Sequence, residues 1–270
     1  MSGKIIVGTD FRAEADRAID RALQLGKEWD AEVILVHAVD PALGEPPTKA
    51  ELDRRMRSVL PDPDAKVTFR YPMERADLAL SRIAEEEDAM LIVLGVARFN
   101  NLRDFLLGTA VDYVIRNSSA PVLIVKNRPT RPYRQICSAT DFYAPSRNAL
   151  EKAADLFPEA AFELVHAFHV PFEGWQKADY VQKEVEKAQQ KALDEFVAEL
   201  RPETRERVSA HVVYGSAGSA LRQDIEDSEG DLLVLGTHGE SALRHVTLGS
   251  TANELLRSLP VDTLVVRSSD

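Results

Sequence analysis

Gly236, Gly239, Gly249 and Ser250 stand at a spacing, G-x2-G-x9-G-S, that can aim backbone amides at an anion. Before them runs Leu232-Leu-Val-Leu235, an apolar stretch too short for a membrane span and suited to a strand buried on both faces. After them, from Gly249, a helical pattern begins. Buried strand, glycine turn, loop and a Gly-Ser helix start is an order that cradles phosphate-like groups. Gly236 and Gly239 let the backbone turn sharply and approach a ligand without a Cβ. Gly249, Ser250 and Thr251 offer first-turn amides and hydroxyls at the positive end of a helix. The spacing is neither that of a P-loop nor the G-x-G-x-x-G of dinucleotide folds. Two glycines alone would equally fit a turn that closes an ordinary βα unit. The full spacing favours a ligand.

Other chemistry-bearing residues are sparser. Arg244 and His245 fall inside the loop and read as solvated positions able to add positive charge. His238 could act as a base, but no nucleophile or metal ligand pairs with it, so it reads as a loop residue. His37 and His166 occupy the same place in two similar strands and read as structural. Asp141 follows an apolar strand and reads as the N-cap of a helix over 144–157, a role compatible with touching a ligand. No metal-ligand cluster, Ser-His-Asp constellation or acid–base carboxylate pair is legible, so the expectation is no catalytic and no metal residues.

The elements that must position the glycines belong to a chain of 270 residues, 44% hydrophobic and 29% charged, with a net charge of -11. Such a chain can bury real cores. The negative balance, without a basic tract, argues against nucleic acid as partner. No stretch reaches the ~20 apolar residues of a membrane span. The start runs into a strand pattern without an apolar leader, and one cysteine, Cys137, excludes an internal disulfide. Both point to the cytoplasm. Cys137 lies in an apolar run and reads as a packed core thiol.

Strands and helices alternate from the start. Strands are expected at 4–9, 32–38, 66–71, 90–95 and 121–126. Helices are expected at 13–29, 49–60, 74–87 and 109–117. Apolar strands in strict alternation with helices imply a parallel sheet covered on both faces. After the polar linker Asn127–Pro132 the order restarts. Gln135-Ile-Cys-Ser-Ala-Thr-Asp-Phe142 answers Lys4-Ile-Ile-Val-Gly-Thr-Asp-Phe11, and Leu-Val-His-Ala recurs at 35–38 and 164–167. At a constant offset of 141, Gly95 falls on Gly236 and Gly108 on Gly249. A longer helix is expected at 175–200. The chain is a duplicated domain, divided as 1–129 and 130–270.

Thr-Asp-Phe at the end of the first strand and Leu-Val-His in the second, in both halves, with the glycine signature complete in the second half, resemble the universal stress protein family in its ATP-binding branch. The resemblance covers nearly the whole chain and implies a tandem member. It implies two doubly wound, five-stranded parallel sheets of order 3-2-1-4-5, a Rossmann-like α/β fold, with the ligand crevice where the winding reverses. Carried over to the second half, it implies ATP, with or without Mg2+. Ala139, Thr140 and Ala167 would line the adenine pocket, and Asp141 would lie beside the adenosine. Leu235, Gly236, Thr237, His238 and Gly239 would wrap ribose and phosphates, with Gly249, Ser250 and Thr251 on the phosphate tail. The first half keeps Asp10, Gly95, Gly108 and Thr109 but has Arg98 where the second has Gly239. That side chain is expected to occlude or weaken a site there. The halves are expected to pair as an intramolecular pseudo-dimer through their fifth strands, with a homodimer as a further assembly. The expected function is an ATP-dependent stress or regulatory switch rather than an enzyme. The alternatives are a slow ATPase and a nucleotide-free interaction module.

Overall fold

The computed structural model describes residues 3–96, 98–101, 104–106, 108–170, 178–237 and 248–267. In the first half β1 (Lys4–Gly8), α1 (Ala13–Trp29), β2 (Glu32–Val36), α2 (Lys49–Ser58), β3 (Thr68–Arg70), α3 (Ala76–Glu86) and β4 (Leu91–Gly95) follow one another. A hairpin of β5 (Arg98–Asn101) and β6 (Asp104–Leu106) then leads to α4 (Thr109–Asn117) and β7 (Val122–Val125). The second half runs β8 (Gln135–Ala139), α5 (Ala144–Leu156), β9 (Ala161–Phe168), α6 (Ala178–Ala198) and α7 (Pro202–Arg205). It continues with β10 (Val208–Tyr214), α8 (Ala217–Asp227), β11 (Leu232–Gly236), α9 (Ser250–Ser258) and β12 (Asp262–Val266).

Each half has the expected winding, β3-β2-β1-β4-β7 and β10-β9-β8-β11-β12. They do not form two separate sheets, however. β12 pairs antiparallel with β7, and one ten-stranded sheet results. Leu264 faces Leu123, residues that are equivalent at the repeat offset of 141, so a pseudo-twofold axis passes through this pair. The physical reason is the edge: β7 and β12 are both buried apolar strands, and an unpaired edge of that kind would expose a row of backbone groups. Because strand direction reverses at the seam, the carboxyl ends of the two parallel sets point to opposite edges of the sheet.

Side-chain alternation sends Ile5 and Val7 to one face of β1 and Ile6 to the other. The first face packs against α1, α2, α5 and α6, and the second against α3, α4, α8 and α9; both cores run across the seam. Cys137 is buried in the second core, as expected, and burial holds its thiol well above the ordinary value.

A polar cluster sits under the seam. The Asp262 carboxylate accepts from the backbone amides of Lys126 (2.8 Å) and Asn127 (3.0 Å) and from the Tyr133 hydroxyl, with Arg21 at 3.6 Å. Lys126, fully buried, donates from its side-chain nitrogen to Leu259 O (2.9 Å) and Thr263 Oγ1 (3.1 Å). Burial pulls its pKa down to about 7, against the opposing attraction of Asp262. Among the described residues, no helix is long and apolar enough to cross a membrane.

Candidate functional site

The crevice of the second half is assembled at the carboxyl ends of β8, β9 and β11, which are adjacent in the sheet. Ala139 closes β8 in register with Val165, and Thr140 donates its amide to Val165 O at 3.0 Å. Ala167 lies two residues further along β9. Leu235 and Gly236 end β11, and Thr237 donates its amide to Val266 O at 3.1 Å. These residues therefore converge at one edge, as expected. Gly249 is the N-cap residue of α9, and Ser250 and Thr251 open that helix, both exposed. Because α9 connects two parallel strands, its amino end returns to that same edge. His238, Gly239, Arg244 and His245 lie outside the described residues.

The turn after β8 is locked locally. Phe142 takes the left-handed conformation, φ 68°, which costs a non-glycine residue about 1–3 kcal/mol and persists only where the surroundings hold it. They do: the Phe142 amide donates to Thr140 Oγ1 (3.0 Å), and the Tyr143 amide to Asp141 Oδ1 (3.2 Å). His166 bonds Thr140 O through Nδ1 (2.8 Å) and stacks on the Phe142 ring at 4.0 Å. Thr9, Asp10, Phe11 and His37 repeat the hydrogen bonds, with Phe11 at φ 63° and its ring tilted against His37 at 4.1 Å. The histidines are thus structural, and burial holds His37 below its ordinary value. Asp141 is not the N-cap of α5. Tyr143 occupies that position, and the half-exposed carboxylate acts two residues earlier, holding the turn.

Gly236 has a second role that its sequence context does not suggest. A Cβ there would lie 2.5 Å from Pro145 O and 3.0 Å from Ser146 N, so the first turn of α5 requires the glycine. Gly95 is equally required by α1, with Glu14 O at 2.8 Å.

Two features at this edge leave hydrogen-bonding capacity unmet. The Thr237 hydroxyl is buried and has no partner among the described residues. The first turn of α9 has no side-chain cap at Gly249, which leaves its amides for another acceptor. Amides, hydroxyls and a carboxylate at a helix start can hold a phosphorylated ligand with a hydroxylated sugar.

The equivalent place in the first half holds a cavity of about 170 Å³. Its walls include Gly8, Asp10, Val36, Ala38, Leu80 and Val111, and Gly108 caps α4 without a side-chain bond. The loop beyond β4 is the β5–β6 hairpin, which the sequence reading missed. The side chain of Arg98, on which occlusion was expected to rest, lies outside the described residues.

The fold also brings together three potential metal ligands, Glu163, His211 and Asp224. The sequence reading expected none. They come from β9, β10 and α8, so no local spacing marks them.

The model of the universal stress protein family matches residues 1–126 and again 132–267. A universal stress protein of Mycolicibacterium smegmatis is 22% identical across 97% of this chain and 96% of its own length. One from Methanocaldococcus jannaschii is 29% identical over 46% of this chain and 81% of its own. Among solved structures, a universal stress protein from Archaeoglobus fulgidus superposes with a TM-score of 0.69 at 16% identity, covering 100% of both chains. A putative one from Pseudomonas aeruginosa gives 0.69 at 18% identity over 98% of this chain and 92% of that one. With two matches that leave only the linker and the last residues uncovered, the chain belongs to the universal stress protein family, as a tandem of two of its units.

Proposed function

We propose that the protein binds ATP in the crevice of the second half and uses it as a switch on shape or partners, with turnover slow at most. The observation that carries this reading is the unmet capacity at one edge: a buried Thr237 hydroxyl with no partner among the described residues, and an uncapped α9, both within the complete glycine spacing. Gly249, Ser250 and Thr251 hold the phosphate tail through amides and hydroxyls. Asp141 and Ala167 border the nucleoside. Phosphoryl transfer needs charge neutralisation and an oriented nucleophile. Asp141 is already engaged in its turn, and Arg147, in the first turn of α5, is paired with Glu199. The reading is therefore a binding protein rather than an efficient enzyme.

Calorimetric titration with ATP is expected to give a stoichiometry near one, abolished by Gly239→Val, which sets a branched side chain where backbone must approach phosphate. A stoichiometry and affinity unchanged by Gly239→Val would end this reading. A second reading, in which the first half also takes a nucleoside, is favoured by the 170 Å³ cavity beside Asp10. It predicts a stoichiometry near two, with one equivalent insensitive to Gly239→Val.

A further inference from the structure

Four side chains of the second half meet on the sheet face beneath α8. Cys137 and Glu163 are register partners on β8 and β9. His211 stands on β10 two residues beyond Ser209, the register partner of Glu163, and Asp224 comes from α8. His211 Nε2 lies 2.6 Å from Asp224 Oδ1, and its Nδ1 lies 3.7 Å from Glu163 Oε1. Cys137 Sγ is 4.0 Å from the other Asp224 oxygen. One ligand atom from each of Glu163, His211 and Asp224 lies within 4.8 Å of the other two.

The duplication supplies an internal control. Where the second half has Cys137, Glu163 and Asp224, the first has Ile6, Ile34 and Ile83. Ile6 and Ile34 are register partners just as Cys137 and Glu163 are. All three isoleucines are core residues, 0%, 0% and 4% exposed. One copy thus sets three packed isoleucines here, with the exposed Arg70 at the place of His211, while the other sets two carboxylates around one imidazole. Packing alone does not call for that exchange.

Charge argues the same way. A protonated imidazole, 2.6 Å from the 8% exposed Asp224 carboxylate, would compensate that group and leave the charge of Glu163, 27% exposed, unbalanced within the cluster. A poorly compensated carboxylate away from water is costly. A dication beside neutral imidazole closes the balance, with the imidazole suited to zinc-class ions and the carboxylates to divalent ions generally. Glu163 and His211, at 27% and 37% exposure, leave a path in from solvent.

We propose that Glu163, His211 and Asp224 form a binding site for a divalent transition-metal ion of zinc's class, separate from the nucleotide crevice. The bound ion would tie β9, β10 and α8 together at the outer edge of the second half. Water completes its coordination.

The test is calorimetric titration of zinc chloride into the full chain without nucleotide, with thermal unfolding read in parallel. One equivalent is expected, saturating by about 10 μM free zinc, with a rise in Tm. Glu163→Gln, at a part-exposed position where folding should persist, is expected to weaken that binding at least tenfold, and His211→Gln to do the same. The triple variant Cys137→Ile, Glu163→Ile, Asp224→Ile rebuilds the packing of the first half and should fold without taking zinc here. Zinc binding by Glu163→Gln with wild-type affinity, or no binding by the wild type at about 100 μM, would overturn the proposal.

Discussion

Alanine at position 236 would set a methyl 2.5 Å from the carbonyl oxygen of Pro145, a backbone atom that cannot swing aside. Gly236→Ala is therefore expected to destabilise the protein by about 1–3 kcal/mol, the usual cost of overpacking. A lowered urea midpoint checks it; an unchanged midpoint would remove α5 as the reason for the glycine. Lys126 offers a test through pH. Its folded pKa of about 7 lies below the ordinary lysine value, so between these two the unfolded chain holds more protons than the folded one. Stability contributed by this group accordingly rises with pH above 7 and is lost as pH falls through 7. Between pH 7 and 8.5 the stability of the wild type relative to Lys126→Met should climb, at up to about 1.4 kcal/mol per pH unit. Groups common to both proteins cancel in the difference; parallel curves would contradict the burial of a neutral amine. At this scale the sequence was half legible. The spacing located Gly236, Asp141 and the histidines, but their tasks came from contacts between elements remote in sequence: Pro145 against Gly236, Thr140 against His166.

Helices with a clear apolar stripe fell where periodicity put them, α1 at Ala13–Trp29 and α4 at Thr109–Asn117. The β5–β6 hairpin did not, because three- and four-residue strands are too short to show a period, and no glycine or proline marks its turn. The pairing of β7 with β12 was expected from the edge places that the family resemblance gives these strands together with their apolar character, since edges like these need covering. The same pair yields a prediction for the isolated second half. Residues 130–270 alone would present β12, buried along its whole length in the full chain, as an open edge. This fragment should self-associate in sedimentation at micromolar concentration. A stable monomer would mean that β12 tolerates exposure and that the seam owes its existence to the Asp262 and Lys126 cluster instead.

Across the whole molecule, the reversal at the seam puts the two crevices at opposite edges of the sheet, although β6 of the first half packs against α9 of the second. A ligand in the second half should then act locally first. Hydrogen exchange of residues 237–248 is expected to slow on adding ATP, while the turn at residues 9–12 of the first half exchanges as before, and turnover should stay well below about 1 s⁻¹. Unchanged exchange in 237–248 would separate nucleotide from any conformational signal. The seam has a consequence for biosynthesis too. β7 is complete at residue 125, but its partner β12 begins only at residue 262. At about 5–20 residues per second, a ribosome needs roughly 7–30 s to make the intervening chain. Throughout that interval the first half is folded but lacks its neighbour, with an apolar strand open to any other nascent chain on the same message. Rapid elongation through the second half, or a chaperone that covers Val122–Val125, would then govern how much of this protein reaches its native state.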